Sequence, residues 1–204
     1  MKIFRKDSLL IRFIDRFGDL TVLNLMFLLG CVPIITIPAA VTAMYTCTLK
    51  IAGGKEFEAR WFWESLHRDF KVSLQIALAL AAAGIALLAD RYLLSGALRE
   101  THDIFRYVLY ALLCLLACAA SYAFPLAAQF KNTCAQHLKN GVLLALRHFP
   151  KTLVILALNL LPAVLLTLDF AAFIQLIVFW LLFGFAATAY VNSLFFRKIF
   201  QAFI

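Results

Sequence analysis

Five cysteines, Cys31, Cys47, Cys114, Cys118 and Cys134, are by type the residues of this sequence best suited to metal or redox chemistry. Their spacing speaks against both. Cys114 and Cys118 stand one turn apart in an apolar stretch, with no histidine or carboxylate nearby in sequence to complete a four-ligand zinc site. Their number is odd and no C-x-x-C pair occurs, so no disulfide framework is expected either. His67, His137 and His148 read as interfacial, without the partners a metal would want. No catalytic residue, metal or cofactor is therefore expected.

Hydrogen bonding to a solute is a second chemistry the residues can support. The main amides within the apolar runs are Asn24, Gln75, Asn159, Gln175 and Asn192, and no Asp, Glu, Lys or His sits in the middle of a run. Proton-driven carriers and intramembrane enzymes need ionisable groups at that depth, so both are disfavoured. No phosphate-cradling G-x-x-x-x-G-K-[ST] motif is present. Asn24, Asn159 and Gln175 are the candidates to line a polar cavity, and Pro162, three residues after Asn159, can open a helix there. Pro33 and Pro38, with Thr36 between them, mark a second candidate site, because broken helices at membrane depth often line a substrate path.

These residues sit in a chain that is 64% hydrophobic and 15% charged, with mean hydropathy +0.91. An ordinary soluble domain is about 25% charged. The composition implies an all-α, polytopic helical membrane bundle. One integral membrane domain over residues 1–204 is expected, with membrane helices at 72–89, 104–130, 152–168 and 170–196. Leu20 to Leu49 is uncharged, and a straight helix over it would reach about 45 Å, beyond the ~30 Å hydrocarbon core. Pro33 and Pro38 break such a helix, so 20–49 reads as a proline-broken hairpin.

Charge supports the hairpin. If 20–49 turns back, 16 of the 19 Lys and Arg fall on one side of the membrane and 3 on the other; a single crossing divides them 8 to 11. The positive-inside rule selects the first arrangement and places both termini in the cytoplasm. Each arm would span only about 18 to 20 Å, so the hairpin either crosses fully or is re-entrant. The net charge of +8 thus reports orientation, and no nucleic-acid partner is expected. Residues 1–19 lack a signal-peptide core and read as an interfacial amphipathic helix, with Leu9, Leu10, Phe13, Ile14 and Phe17 on one face. Trp61, Phe62 and Trp63 read as headgroup-layer anchors, and the basic loop Lys131 to Lys151 as a segment attracted to anionic lipid at the inner face. Gly184, Thr188 and Asn192 form a close-packing stripe, as do Ala79 with Ala83 and Ala82 with Ala86.

The block "FGDLTVLNLMFLLGCVPIITIPAAVTAMYTCTLKIAGGKE", with "FWESLHRDFK", "YAFPLAAQFKNT" and "LKNGVLLALRHFPKTL", resembles the YesL-like family of bacterial integral membrane proteins. The most specific part is the segment with Asn24, Pro33 and Thr36 and the basic, glycine-containing end of the hairpin. That family has no established function, and its genes often lie beside those for carbohydrate ABC transporters. The resemblance implies a bacterial plasma-membrane protein, accessory to or regulating carbohydrate uptake, with a carbohydrate ABC transporter or another membrane complex as partner. It supplies no binding or catalytic residues. The alternative is a small carrier or channel for a small solute.

Overall fold

The computed structural model describes residues 9–97, 102–168 and 177–201, which are helical throughout apart from short turns and contain no strand. In chain order the helices are α1 (Leu9–Gly30), α2 (Ile37–Ala52), α3 (Ala59–Arg68), α4 (Phe70–Ala97), α5 (His102–Gln129), α6 (Cys134–Arg147), α7 (Phe149–Leu168) and α8 (Ile177–Phe200). Ile34–Ala52, Phe70–Ala89, Tyr107–Gln129 and Ile177–Phe200 are each long and apolar enough to cross a membrane. The α6 and α7 pair, bent by 111°, could supply a fifth span. The chain is thus an all-α helical membrane bundle. The expected helix at 170–196 is described only from Ile177 onward.

The hairpin is built where the prolines require it. α1 runs unbroken from Leu9 through the boundary expected at residue 19 and stops at Gly30, three residues before Pro33. Pro33 precedes a single 3₁₀ turn, Ile34–Thr36, and the Thr36 hydroxyl lies 2.6 Å from both the Gly30 and the Pro33 carbonyl. Pro38 falls in the first turn of α2, where a missing amide hydrogen costs nothing, so it starts a helix and does not kink one. At Gly30 a Cβ would lie 3.2 Å from the Phe62 ring and 3.4 Å from Ala40, so an added side chain would press on the place where the two arms and α3 meet.

Arg16 donates to the Ile51 carbonyl at 3.2 Å, fixing the start of the first arm against the end of the second. From Arg16 to Gly30 α1 rises only about 21 Å, short of the ~30 Å hydrocarbon core. The tip exposes Val32 (75%), Ile34 (80%) and Ile35 (64%) and carries no charge.

α2 is the centre of the bundle. It packs against α1, α3, α4, α5 and α8, and it is buried almost continuously from Ala39 to Leu49. Its Ala39, Ala40, Thr42, Ala43, Thr46, Cys47 and Thr48 let the neighbouring backbones come close. α3 covers one side through Phe62, which is fully buried, so of the three expected anchors only Trp63 is exposed; Trp61 lies under the Lys50 ammonium at 4.1 Å. Ala82, Ala83 and Ala86 are exposed, and the α4 alanine faces do not form a buried seam.

Basic segments gather at one end. Arg197 on α8 donates to the Ala52 carbonyl, Phe130 after α5 meets Phe200 with ring centroids 5.6 Å apart, and Tyr122 on α5 bonds Thr152 on α7 at 2.8 Å. The segment expected as a basic loop contains α6, started by a capping box in which the Gln136 amide donates to Thr133 Oγ1 and the Thr133 amide to Gln136 Oε1.

An uncharged tip at that height belongs in hydrocarbon. We expect Cys31, half-buried at the tip, to resist a membrane-impermeant maleimide from both sides of sealed vesicles, while Cys134 at the basic end reacts from one side. Labelling of Cys31 from the side opposite Cys134 would instead show a hairpin that crosses completely.

Candidate functional site

Asn24 and α8 define the first feature of the membrane core. α8 contains one π-helical turn, Trp180–Gly184, and such a turn takes carbonyls and amides out of the ordinary ladder. Asn24 is fully buried and supplies the replacements: its Nδ2 donates to the Trp180 carbonyl at 3.2 Å and the Leu181 carbonyl at 2.6 Å, and its Oδ1 accepts from the Ala186 amide at 2.9 Å. A primary amide offers two donors and an acceptor in one plane, which this gap in the helix requires. Gly184 completes the turn, since a Cβ there would lie 2.5 Å from the Trp180 ring. Trp180 is thereby folded back along its own helix, between Phe179 and Phe185.

A chain of polar side chains links four helices beside this turn. Asn192 on α8 donates through Nδ2 to the Tyr45 hydroxyl on α2 at 3.4 Å and to Asn159 Oδ1 on α7 at 2.8 Å. Asn159 in turn donates to Ser121 Oγ on α5 at 3.4 Å, and Ser121 donates to the Ala117 carbonyl. Two groups in this chain stay uncommitted. Asn192 Oδ1 is buried with no partner, and the Tyr45 hydroxyl, which accepts from Asn192, has no acceptor for its own hydrogen among the described residues.

Tyr45, Ser121 and Asn159 line a cavity of about 380 Å3 between α1, α2, α5, α7 and α8. Pro162 and Thr188 also line it, and Phe27, Phe124 and Phe185 make its walls apolar. Pro162 lacks the amide hydrogen that would bond the Leu158 carbonyl, and Leu158 also faces the cavity. A pocket of this kind, apolar with a few convergent polar groups, can hold a small uncharged or amphipathic molecule by hydrogen bonds without offering it a charge.

Of the residues singled out in the sequence, Asn159 and Pro162 are brought together at this cavity. Asn24 lies behind its wall with its amide engaged by α8, and Pro33, Thr36 and Pro38 lie at the hairpin turn. Gln175 is outside the described residues, and Gln75 is exposed on α4. Tyr45 and Ser121 were not anticipated, because one polar residue in an apolar run does not show which way it faces. Thr188 and Asn192 belong to the stripe expected for close packing, but one lines the cavity and the other bonds across to α2 and α7. Among the described residues, no three of His, Cys, Asp and Glu stand close enough to share a metal ion.

A family model described as a protein of unknown function, DUF624, matches residues 20–91, the stretch from the hairpin through most of α4. That match supports membership of an uncharacterised domain family for this part of the chain. No curated protein and no solved structure matches.

Replacing Asn24 with Leu should leave the Trp180 and Leu181 carbonyls and the Ala186 amide unpaired in an apolar setting, costing about 2–3 kcal/mol. Gly184→Ala should be destabilising as well, whereas Gly18→Ala, with nothing within 4 Å of the added methyl, should be neutral or mildly stabilising. Unfolding of the purified protein in mixed micelles by graded SDS measures all three. Equal midpoints for Asn24→Leu and the parent chain would mean that the π turn does not depend on Asn24.

Proposed function

We propose that this chain is a non-enzymatic, multi-pass protein of the bacterial plasma membrane, with its basic end in the cytoplasm, that acts as an accessory to a carbohydrate-uptake complex. The observation that carries the non-enzymatic part is the use made of the core's polar side chains. Thr42 pairs with Ser73, Thr46 with Ser65, Thr48 with Ser193 and Tyr122 with Thr152, each at 2.7 or 2.8 Å, and Asn24 is engaged by α8. Each of these bonds joins one helix to another. The polar residues of the core hold the bundle in one arrangement, as suits a protein that presents surfaces to a partner. Affiliation with the YesL-like family and the link to carbohydrate uptake rest on the sequence resemblance. The 16 to 3 division of basic residues supports the orientation.

A small carrier is the second reading, and the 380 Å3 cavity with the uncommitted Tyr45 hydrogen in its wall favours it. The two readings separate in purified vesicles. The accessory reading expects no sugar accumulation by vesicles containing this chain alone, under a proton or a sodium gradient, and crosslinking in native membranes that captures a transport complex. Gradient-dependent accumulation that Asn159→Leu abolishes would overturn it in favour of the carrier.

A further inference from the structure

At the basic end, the break between α3 and α4 faces the turn between α5 and α6 across a pocket of about 540 Å3. Arg68, Asp69, Lys131, Asn132, Gln136 and His137 line it. Asp69 is its one acid and is already engaged: Arg68 donates to Oδ1 at 2.9 Å and to Oδ2 at 2.6 Å, and Ser65 donates to Oδ2 at 2.8 Å. The described residues hold two ion pairs, Arg60 with Glu64 and Arg68 with Asp69, and Lys131 is in neither. The pocket therefore carries an uncompensated positive charge. It also receives the first turn of α6, whose leading amides have no carbonyl partner within the helix beyond the one that Thr133 caps.

His137 forms part of the wall. It is 1% exposed, it lines this pocket, and its Nδ1 has no hydrogen-bond partner. Burial pushes its pKa below the ordinary histidine value, against the opposing effects of the Asn132 backbone and the Asp69 charge. Nδ1 has essentially no accessible surface, so the ring walls the pocket without offering that nitrogen to a ligand.

A second cavity of about 370 Å3 adjoins the first, sharing Phe130 and Asn132. It is lined by Leu126, Leu143, Leu144 and Phe200, with Arg147 and Asn140 at its polar edge. The neighbouring surface exposes Leu143 (55%), Leu146 (59%) and Phe149 (55%). A cationic pocket next to an apolar one, beside an exposed apolar corner, matches an amphiphile with an anionic head and a hydrocarbon tail. We propose that the pocket between the α3–α4 break and the start of α6 binds the phosphate of an anionic phospholipid, with the lipid chain lying along the adjoining apolar cavity. This is a fixed site, distinct from the diffuse attraction that a basic loop exerts on a negative surface.

Native mass spectrometry of the full chain, released from detergent in the presence of phosphatidylglycerol or phosphatidylcholine, tests the site. The parent chain should retain phosphatidylglycerol in preference to phosphatidylcholine. Lys131→Glu should lower that retention roughly tenfold, the scale of losing one charge-assisted contact. Lys198→Glu, the same charge change on the last turn of α8 away from the pocket, should alter it by no more than about twofold. Equal losses for Lys131→Glu and Lys198→Glu would reduce the effect to net charge and overturn the site. The absence of any preference for phosphatidylglycerol would do the same. Displacement of the lipid by an equal concentration of glycerol phosphate would reassign the pocket to soluble phosphate esters and overturn the lipid as its ligand.

Discussion

A helix surrounded by protein inside a membrane has no water to satisfy its hydroxyls, and α2 carries Thr42, Thr46 and Thr48 in that position. Each threonine lies close to a carbonyl one turn back in its own helix and also reaches a serine on another: Ser73 on α4 at 2.7 Å, Ser65 on α3 at 2.8 Å and Ser193 on α8 at 2.8 Å. Three helices are thus registered against α2 by groups that would each cost free energy if left unpaired. In membranes such bonds contribute about 0.6 to 1.7 kcal/mol apiece, so their effect lies more in fixing register than in total stability. The Ser65 hydroxyl has one hydrogen and gives it to the Asp69 carboxylate, so Thr46 must be the donor to Ser65. A directed chain therefore runs from the middle of α2 to the rim of the basic end.

The same constraint explains Asn24. A π turn is a defect in the hydrogen-bond ladder, and lipid offers nothing with which to repair it. The repair comes from α1, 156 residues away in sequence, through an amide that bonds Trp180 and Leu181 on one side and Ala186 on the other. Repair and cavity are connected, because the turn sets the direction of the Trp180 ring and that ring forms part of the cavity wall. Asn24 acts on the cavity by positioning its wall.

Features that follow from one-dimensional pattern were legible in the sequence. Uncharged length against bilayer thickness pointed to a helical membrane bundle, and two prolines five residues apart gave the break after Gly30. The basic residues gave a common end, where Arg197 now meets Ala52 and Phe130 meets Phe200. Features that depend on which way one side chain points were not legible. His137 and Phe62 looked interfacial because charges surround them in sequence, yet α6 and α3 turn both inward. The helix α6 did carry a local signal, Thr133 followed three residues later by Gln136, which was outweighed by the basic composition of the segment. The π turn had a fainter one, a glycine four residues after a tryptophan, and no pattern in the sequence connects that pair to Asn24.

Both candidate sites hang from α2, and this bears on how either could influence the other. The cavity's uncommitted group, the Tyr45 hydrogen, belongs to a residue of α2 that accepts from Asn192 on α8, which in turn donates to Asn159 on α7. A solute that donated to the Tyr45 oxygen would compete with the 3.4 Å contact from Asn192, which with the Asn159 to Ser121 contact is one of the two longest links in the chain. Ser193, one residue beyond Asn192, pairs with Thr48 of α2, and Thr46 of the same helix leads through Ser65 to Asp69. Asp69 lines the basic pocket and holds Arg68 in it. Both sites therefore rest on one short stretch of the central helix, where Tyr45 and Thr48 bond α8 and Thr46 bonds α3.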